Sequence, residues 1–225
     1  MKSKSWMIPA AFFLVAAIVN LMGQESMHHL ARLTKPALLP LIALCTVAAA
    51  GGMESRTVRL LVTAQLFGGL GDILLQRSEF LCFVGGMVAF LIGHIFYIVL
   101  FGGKSWKGFG LKVWIPSLLV MAGFVACMIL AIGVNGDLLV PMIVYGMTLM
   151  LLIFSTLMGV IRWKSFWWFL LCGAVLFTTS DVILASGTFE VWPFAGKDFV
   201  IMFTYLAAQC LLAYGGLRLN ASDAS

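Results

Sequence analysis

Long apolar runs separated by short polar segments dominate the chain. There are eight, each near the ~20 residues that a helix needs to cross a bilayer: residues 6–23, 36–52, 57–76, 80–101, 112–134, 138–160, 166–186 and 198–217. No segment shows the ten-residue alternation of a membrane-spanning β-strand. The pattern predicts an all-α, polytopic membrane helix bundle with eight transmembrane helices, forming a single integral membrane domain over residues 1–225.

The basic residues of the loops support eight spans and predict their direction. An even number of spans places both termini on one side, together with 10 of the 14 Lys and Arg residues, namely Lys2, Lys4, Arg56, Arg59, Lys104, Lys107, Lys112, Arg162, Lys164 and Arg218. The other side has Arg32, Lys35, Arg77 and Lys197. Because cytoplasmic loops are enriched in basic residues, both termini are expected in the cytoplasm, and we expect a bacterial inner membrane protein.

Composition agrees with a lipid environment. The chain is 62% hydrophobic and 10% charged, whereas a soluble domain is about half apolar and about a quarter charged. The five cysteines are scattered, with no C-x-x-C pair, which argues against a disulfide framework. No basic cluster with interleaved aromatic residues is present, so no nucleic-acid partner is expected.

Two acidic residues interrupt the apolar runs. Asp72 follows three closely spaced glycines in the third run, and Asp181 lies in a similar setting in the seventh. An acid at membrane depth is costly and by default marks a functional site with a partner. Glycines beside it allow another helix or a ligand to approach the backbone closely.

Further polar or small residues share helical faces with these acids or lie on neighbouring helices. They are Gln65, Gly68 and Gln76 with Asp72, Thr178 with Asp181, the pair His94 and Tyr97, and the pair Tyr205 and Gln209. Side chains three or four residues apart lie on one face of a helix. These faces predict a polar cavity inside the bundle that opens toward the outer leaflet.

The motifs around the acids also suggest an internal repeat with halves 1–104 and 105–225. Gly71-Asp72-Ile73-Leu74-Leu75 resembles Ser180-Asp181-Val182-Ile183-Leu184, and the segment ending in His94 loosely resembles the one ending in Gln209. Parallel repeats place a site at the interface between halves. We therefore expect the two acids to meet across that interface.

Other interpretations fit the same residues. A lone membrane Asp can simply hydrogen-bond a neighbouring helix, and Lys35 can extend its amine to the interface. A small lipid transporter or lipid-binding protein could use the acids for protons or substrate. His94 and the two acids could hold a metal in a metal-dependent lipid hydrolase, although H-E-x-x-H and G-x-S-x-G are absent.

Five motifs together resemble the YhhN-like family of membrane lysoplasmalogenases: Lys35-Pro36, Gly71 to Leu75, Phe90 to Tyr97, Ser180 to Leu184 and Thr204 to Gln209. The chain has Gln209 where a symmetric second half would have histidine. The resemblance implies an eight-helix hydrolase that cleaves the vinyl ether bond of lysoplasmalogen and releases a fatty aldehyde and a glycerophospho-alcohol. It implies an ether lysophospholipid substrate among membrane lipids, no metal or other cofactor, and catalytic roles for Asp72 and Asp181.

Vinyl ether hydrolysis begins with protonation of carbon, and water then attacks the resulting oxocarbenium ion. It needs one protonated acid and one carboxylate, which two neighbouring carboxyls can supply. We hypothesise that Asp72 is the general acid and Asp181 the base. The expected supporting residues are His94, Tyr97, Tyr205, Gln209 and Gln76, with Lys35 and Arg32 at the substrate phosphate.

Overall fold

A computed structural model describes residues 4–134 and 136–223, and these form eight long α-helices and two short 3₁₀ helices. The α-helices are α1 (Met7–Ser26), α2 (His28–Ala50), α3 (Arg56–Leu74), α4 (Phe80–Ser105), α5 (Leu111–Ile132), α6 (Leu139–Trp163), α7 (Trp167–Thr188) and α8 (Lys197–Asp223). All eight are long and apolar enough to cross a membrane. The predicted all-α fold with eight transmembrane helices is confirmed.

Helix α2 begins at His28, eight residues before the predicted start at position 36. The apolar run marks only the part of the helix that hydropathy can detect, and the polar first turns continue the same helix. Buried Asn20 of α1 supports these turns, because its Nδ2 donates to the Ala31 carbonyl at 2.7 Å and to Thr34 Oγ1 at 3.0 Å. Lys35 therefore lies on a helix packed within the bundle instead of in a loop.

Helix α8 continues to Asp223, beyond the predicted end at position 217. The Asp223 carboxylate accepts a hydrogen bond from Thr57 Oγ1 at 3.1 Å and pairs with the Lys104 ammonium. These two partners belong to the start of α3 and the end of α4. Their contacts hold a polar last turn that hydropathy alone would leave outside the span.

Seven of the helices form a closed arrangement, and α5 lies at its edge. Sequential neighbours α1 and α2, α3 and α4, and α7 and α8 pack along their lengths, while α8 also touches α1, α2 and α3. Helix α4 packs against α6 and closes the bundle. Within the described chain, the backbone of α5 comes within 8 Å of α6 and α7 but not of α4, although α4 precedes it directly in sequence.

Glycines bring together the two helix pairs that carry the acids. A Cβ at Gly93 of α4 would lie 3.0 Å from the Ala64 carbonyl oxygen of α3, and a Cβ at Gly173 of α7 would lie 3.2 Å from the Ala208 carbonyl oxygen of α8. Small residues allow such backbone approach between membrane helices, where van der Waals contact drives association. The α3–α4 and α7–α8 pairs are therefore closely packed supports for the acids. That residues 1–104 and 105–225 form two repeated halves stays a prediction.

Substitution of Gly159 by Ala should destabilise the bundle. A methyl group at Gly159 of α6 would overlap the buried indole of Trp167 in α7, and overpacking of this kind costs about 1–3 kcal/mol. Chemical unfolding in detergent micelles, followed by tryptophan fluorescence, measures the loss.

The matched control is Gly123→Ala in α5, where a Cβ meets nothing within 4 Å. It should leave the free energy of unfolding unchanged or raise it by up to about 1 kcal/mol, because Ala is the better helix former. Equal stability of the two variants would contradict the packing described for α6 and α7.

Candidate active site

Three helices converge on Asp72. Its side chain is buried near the end of α3, where Oδ2 accepts a hydrogen bond from the Tyr205 hydroxyl of α8 at 2.8 Å. The Lys35 ammonium of α2 lies 3.4 Å from Oδ1. Both carboxyl oxygens therefore have a partner, and one partner carries a positive charge.

Asp181 has a different environment. It lies on α7 and is partly buried, and its Oδ2 accepts a hydrogen bond from the Tyr145 hydroxyl of α6 at 2.5 Å. No Lys or Arg in residues 4–134 and 136–223 forms an ion pair with it. Each acid thus accepts a hydrogen bond from a tyrosine of its own, but only Asp72 also has a cationic partner.

Aromatic rings connect the two acids across the bundle. Tyr205 packs edge-on against Phe177 with centroids 5.4 Å apart, Phe177 meets the His94 ring at 4.5 Å, and His94 meets Tyr145 at 5.6 Å. The rings thus form a continuous series between the partners of the two acids, and the expectation that the acids meet across one cavity stays a prediction.

His94 lies between the two acids and is 1% exposed. Neither of its ring nitrogens has a hydrogen-bond partner among the described residues. A neutral imidazole carries one donor and one acceptor, and a buried polar atom without a partner costs about 1–3 kcal/mol. This side chain can therefore bind a polar group, such as a water molecule or a substrate oxygen, at the centre of the aromatic cluster.

Tyr97 and Gln209 form a second layer behind Asp72. The Tyr97 hydroxyl donates to Gln209 Oε1 at 2.8 Å, and both side chains are buried. A Cβ at Gly68 would lie 3.5 Å from both Gln209 Nε2 and the Tyr205 hydroxyl oxygen. Of the expected supporting residues, Tyr205 thus contacts an acid directly, whereas Tyr97 contacts Gln209.

Gln76 and Arg32 lie apart from the two acids. Gln76 follows the last residue of α3, and its buried Nε2 has no partner among the described residues. Arg32 is exposed on the first turns of α2 and forms no ion pair within the described chain. The structure therefore brings Lys35, but not Arg32, to an acid.

A groove beside Asp181 differs in character from the polar cavity that we expected. It lies between α4, α5, α6 and α7 and has an accessible volume of about 90 Å³. Asp181, Tyr145, Thr178 and Thr188 are the polar residues of a wall that otherwise consists of apolar side chains and a glycine, and Asp72 is not part of it. Asp72, Tyr205, Tyr97 and Gln209 bond to partners inside the bundle, away from the groove, so the groove that remains open is mainly apolar.

Similarity to known proteins places the chain in a family. The model of the YhhN family matches residues 30–216. The chain belongs to the YhhN family. Lysoplasmalogenase TMEM86B of Homo sapiens is 32% identical over 160 residues, which cover 71% of this chain and 64% of that protein. The protein of that name from Sus scrofa is 30% identical over 212 residues, covering 92% and 84%.

The resemblance seen in the motifs is thus confirmed at the level of the family. This YhhN family member spans about 64% of the length of the human and mouse relatives that it matches. No solved structure matches the chain significantly. Among the described residues, no group of three or more His, Cys, Asp and Glu side chains lies close enough to hold a metal ion.

Tyr145 is a site residue of this YhhN family member that sequence reasoning missed. It lies within the apolar run of α6, with no acid or histidine on the same helix to draw attention to it. The available signal was a phenol inside a membrane span, since a buried Tyr hydroxyl usually finds a hydrogen-bond partner. Its partner Asp181 lies 36 residues away in the chain.

The contact between Lys35 and Asp72 should appear as a non-additive effect on stability. In a double-mutant cycle with Lys35→Met and Asp72→Asn, we expect an interaction energy of about 1–2 kcal/mol, because each single variant leaves the other group without its partner. Chemical unfolding in detergent micelles measures each corner of the cycle.

Arg32→Met is the control, one helical turn away on the exposed face of α2. It should change the free energy of unfolding by no more than about 0.5 kcal/mol. In combination with Asp72→Asn, the changes in free energy of the two single variants should simply add. Strict additivity of Lys35→Met and Asp72→Asn would show that the two groups do not interact.

Proposed function

We propose that this protein is a membrane hydrolase that cleaves the vinyl ether bond of lysoplasmalogen, releasing a fatty aldehyde and a glycerophospho-alcohol. The observation that carries the proposal is the pair of intramembrane acids, each held by a tyrosine, on either side of one aromatic cluster. The name lysoplasmalogenase given to the matched relatives supports it.

The reaction needs two acid–base functions. A protonated acid transfers its proton to the β-carbon of the vinyl ether, and the electron pair of the double bond forms the new C–H bond. The oxocarbenium ion that results is attacked by water, which loses a proton to a base. The hemiacetal hydroxyl then gives its proton to one carboxylate while the other, protonated carboxyl gives a proton to the departing oxygen; the C–O bond breaks, and the aldehyde and the glycerophospho-alcohol are released.

We assign the proton-donating role to Asp181 and the carboxylate role to Asp72, the reverse of the hypothesis drawn from sequence. The Lys35 ammonium beside Asp72 favours the ionised carboxylate. Asp181 faces a phenol and an apolar groove, without a described cation, and these surroundings favour the neutral acid. Two carboxyls in different environments can thus supply both forms at one pH.

His94 is proposed to position the attacking water. Its ring lies within the aromatic cluster between the acids, and both nitrogens are free to bond within the described chain. Tyr145 and Tyr205 hold the two carboxyl groups in place, and Tyr97 holds the Gln209 amide, which lies near Gly68, one turn before Asp72 on α3. In this arrangement the phenols and the amide position the acids and do not themselves exchange protons with the substrate.

Lys35 is proposed to serve the substrate phosphate as well as Asp72. Its side chain is 22% exposed while its ammonium contacts the carboxylate, and an ammonium has three hydrogens to donate. The exposed Arg32, one turn earlier on α2, would add a second positive charge at the same end of the bundle. With cytoplasmic termini, this end would face the non-cytoplasmic side.

Replacement of either acid by Asn should abolish aldehyde release. We expect Asp181→Asn and Asp72→Asn each to lower turnover by at least about 100-fold, the usual minimum for loss of a general acid or base. The assay measures aldehyde from defined lysoplasmalogen, using purified protein in detergent.

The exposed Asp198 provides the matched control, and Asp198→Asn should keep normal turnover. Near-normal turnover in both Asn variants would contradict the acid pair. Wild-type protein that binds the lipid without releasing aldehyde would favour a transporter or lipid-binding protein, and loss of turnover with chelators would favour a metal-dependent hydrolase.

Loss of either tyrosine hydroxyl, Tyr145 or Tyr205, should lower turnover because each hydroxyl positions one of the two acids. Tyr145→Phe and Tyr205→Phe each remove a hydrogen bond to a carboxyl group, worth about 1.5–3 kcal/mol when the partner is charged. We expect kcat to fall by about tenfold or more in each variant, with the protein still folded.

Tyr214→Phe is the control, since Tyr214 is 44% exposed and packs against Phe169 away from both acids. Its kcat should equal that of the wild type. A Tyr145→Phe variant with full kcat would show that this hydroxyl is not needed for the proposed proton transfer.

A further inference from the structure

The groove beside Asp181 is the gap between two consecutive helices. Consecutive elements are usually adjacent in space, yet within the described chain no Cα atom of α4 lies within 8 Å of one in α5; the two are linked at one end, where Trp106 after α4 packs on Trp114 of α5. Met87 and Phe90 of α4 line one side of the groove, and Phe124 and Met128 of α5 line the other. Helices α6 and α7 complete it with Tyr145 and Asp181.

The chemistry of the lining indicates what this gap holds. Apolar side chains surround one carboxyl group, so an occupant must be apolar over most of its length and carry its reactive group at Asp181. Met residues line the gap on α4, α5 and α6, and their flexible thioether chains adapt to apolar ligands of varied shape. An alkyl chain attached to a vinyl ether has this distribution of polarity.

The size and position of the gap indicate how the occupant enters. Its accessible volume of about 90 Å³ is several times the roughly 10–15 Å³ that one water molecule needs, so the gap has room for a slender chain. Its walls belong to helices that are long and apolar enough to span a membrane, so a lipid can reach it sideways without crossing water. Among the described helices, the backbone of α5 comes close only to those of α6 and α7, so α5 is the wall that is least restrained.

Resting on the proposed function, we propose that the α4–α5 gap binds the single alkenyl chain of the substrate, which enters laterally from the bilayer. Because the lipid of the proposed function has one chain, competition by single-chain and by two-chain lipids separates binding in the gap from general contact with lipid. This assigns a chain-binding role to Met87, Phe124 and Met128, which lie outside the hydrogen-bonded groups around the two acids.

A photoreactive lipid tests the location directly. The probe is a saturated ether lysophospholipid, which cannot be hydrolysed at a vinyl ether, with a diazirine near the end of its chain. Irradiation of the wild-type protein in detergent micelles, followed by peptide mass spectrometry, should place the label on groove residues of α4 and α5. Unlabelled single-chain lysolipid should compete with the probe, and two-chain phospholipid should not.

Variants at the groove and on the outer face of α5 provide the matched comparison. Met128→Trp and Met87→Trp fill the gap from opposite walls, and each should lower labelling about tenfold, equivalent to about 1.4 kcal/mol of binding. Leu130→Trp places the same side chain on the lipid-facing surface, where Leu130 is 80% exposed, and should leave labelling unchanged.

Two results would overturn the inference: label distributed over the exposed face of α5, or equal competition by two-chain lipid. Aldehyde release by the wild type is measured separately. Labelling in the groove without hydrolysis would reject the proposed reaction but keep the lipid site. Hydrolysis with label elsewhere would reject the site but keep the reaction.

Discussion

The structure depends on how two carboxyl groups are accommodated inside membrane-spanning helices. An unpartnered acid at this depth is costly, and the bundle meets that cost differently at its two positions. Asp72 is buried with a phenol and an ammonium. Asp181 has a phenol alone and borders an apolar groove. This difference in partners allows acids of the same residue type to take different roles.

The packing of the bundle places these partners. Gly93 and Gly173 let α3 and α7, the helices that carry the acids, approach α4 and α8 closely. Helix α8 reaches α1, α2 and α3 as well as α7, so Tyr205 can extend from it to Asp72. Helix α6 brings Tyr145 to Asp181. Each acid therefore receives its partners from helices other than its own, and small changes in helix packing would alter both environments.

Much of this arrangement could be predicted from the sequence. Hydropathy predicts all eight helices, because membrane spans have a strong and local signal. Asp72 and Asp181 stand out because acids are rare in such spans. Tyr205 could be placed near the site because it shares a helical face with Gln209.

Other features depend on tertiary contacts that no local pattern reveals. The start of α2 at His28 lies in polar turns supported by Asn20 of another helix. Tyr145 has no acid or histidine on α6 that would mark it as a partner of Asp181. The separation of α5 from α4 follows from packing against α6 and α7, and it turns an expected polar cavity into an apolar groove. The assignment of acid and base required knowledge of which acid Lys35 approaches.

The central claim is that, at neutral pH, Asp181 is protonated and Asp72 is ionised in the same molecule. Infrared difference spectroscopy of protein with isotope-labelled aspartate tests it, because a protonated carboxyl has a carbonyl stretch distinct from that of a carboxylate. The account predicts one protonated-aspartate band that disappears in Asp181→Asn and persists in Asp72→Asn. A band that disappears instead in Asp72→Asn, or no such band in the wild type, would contradict it.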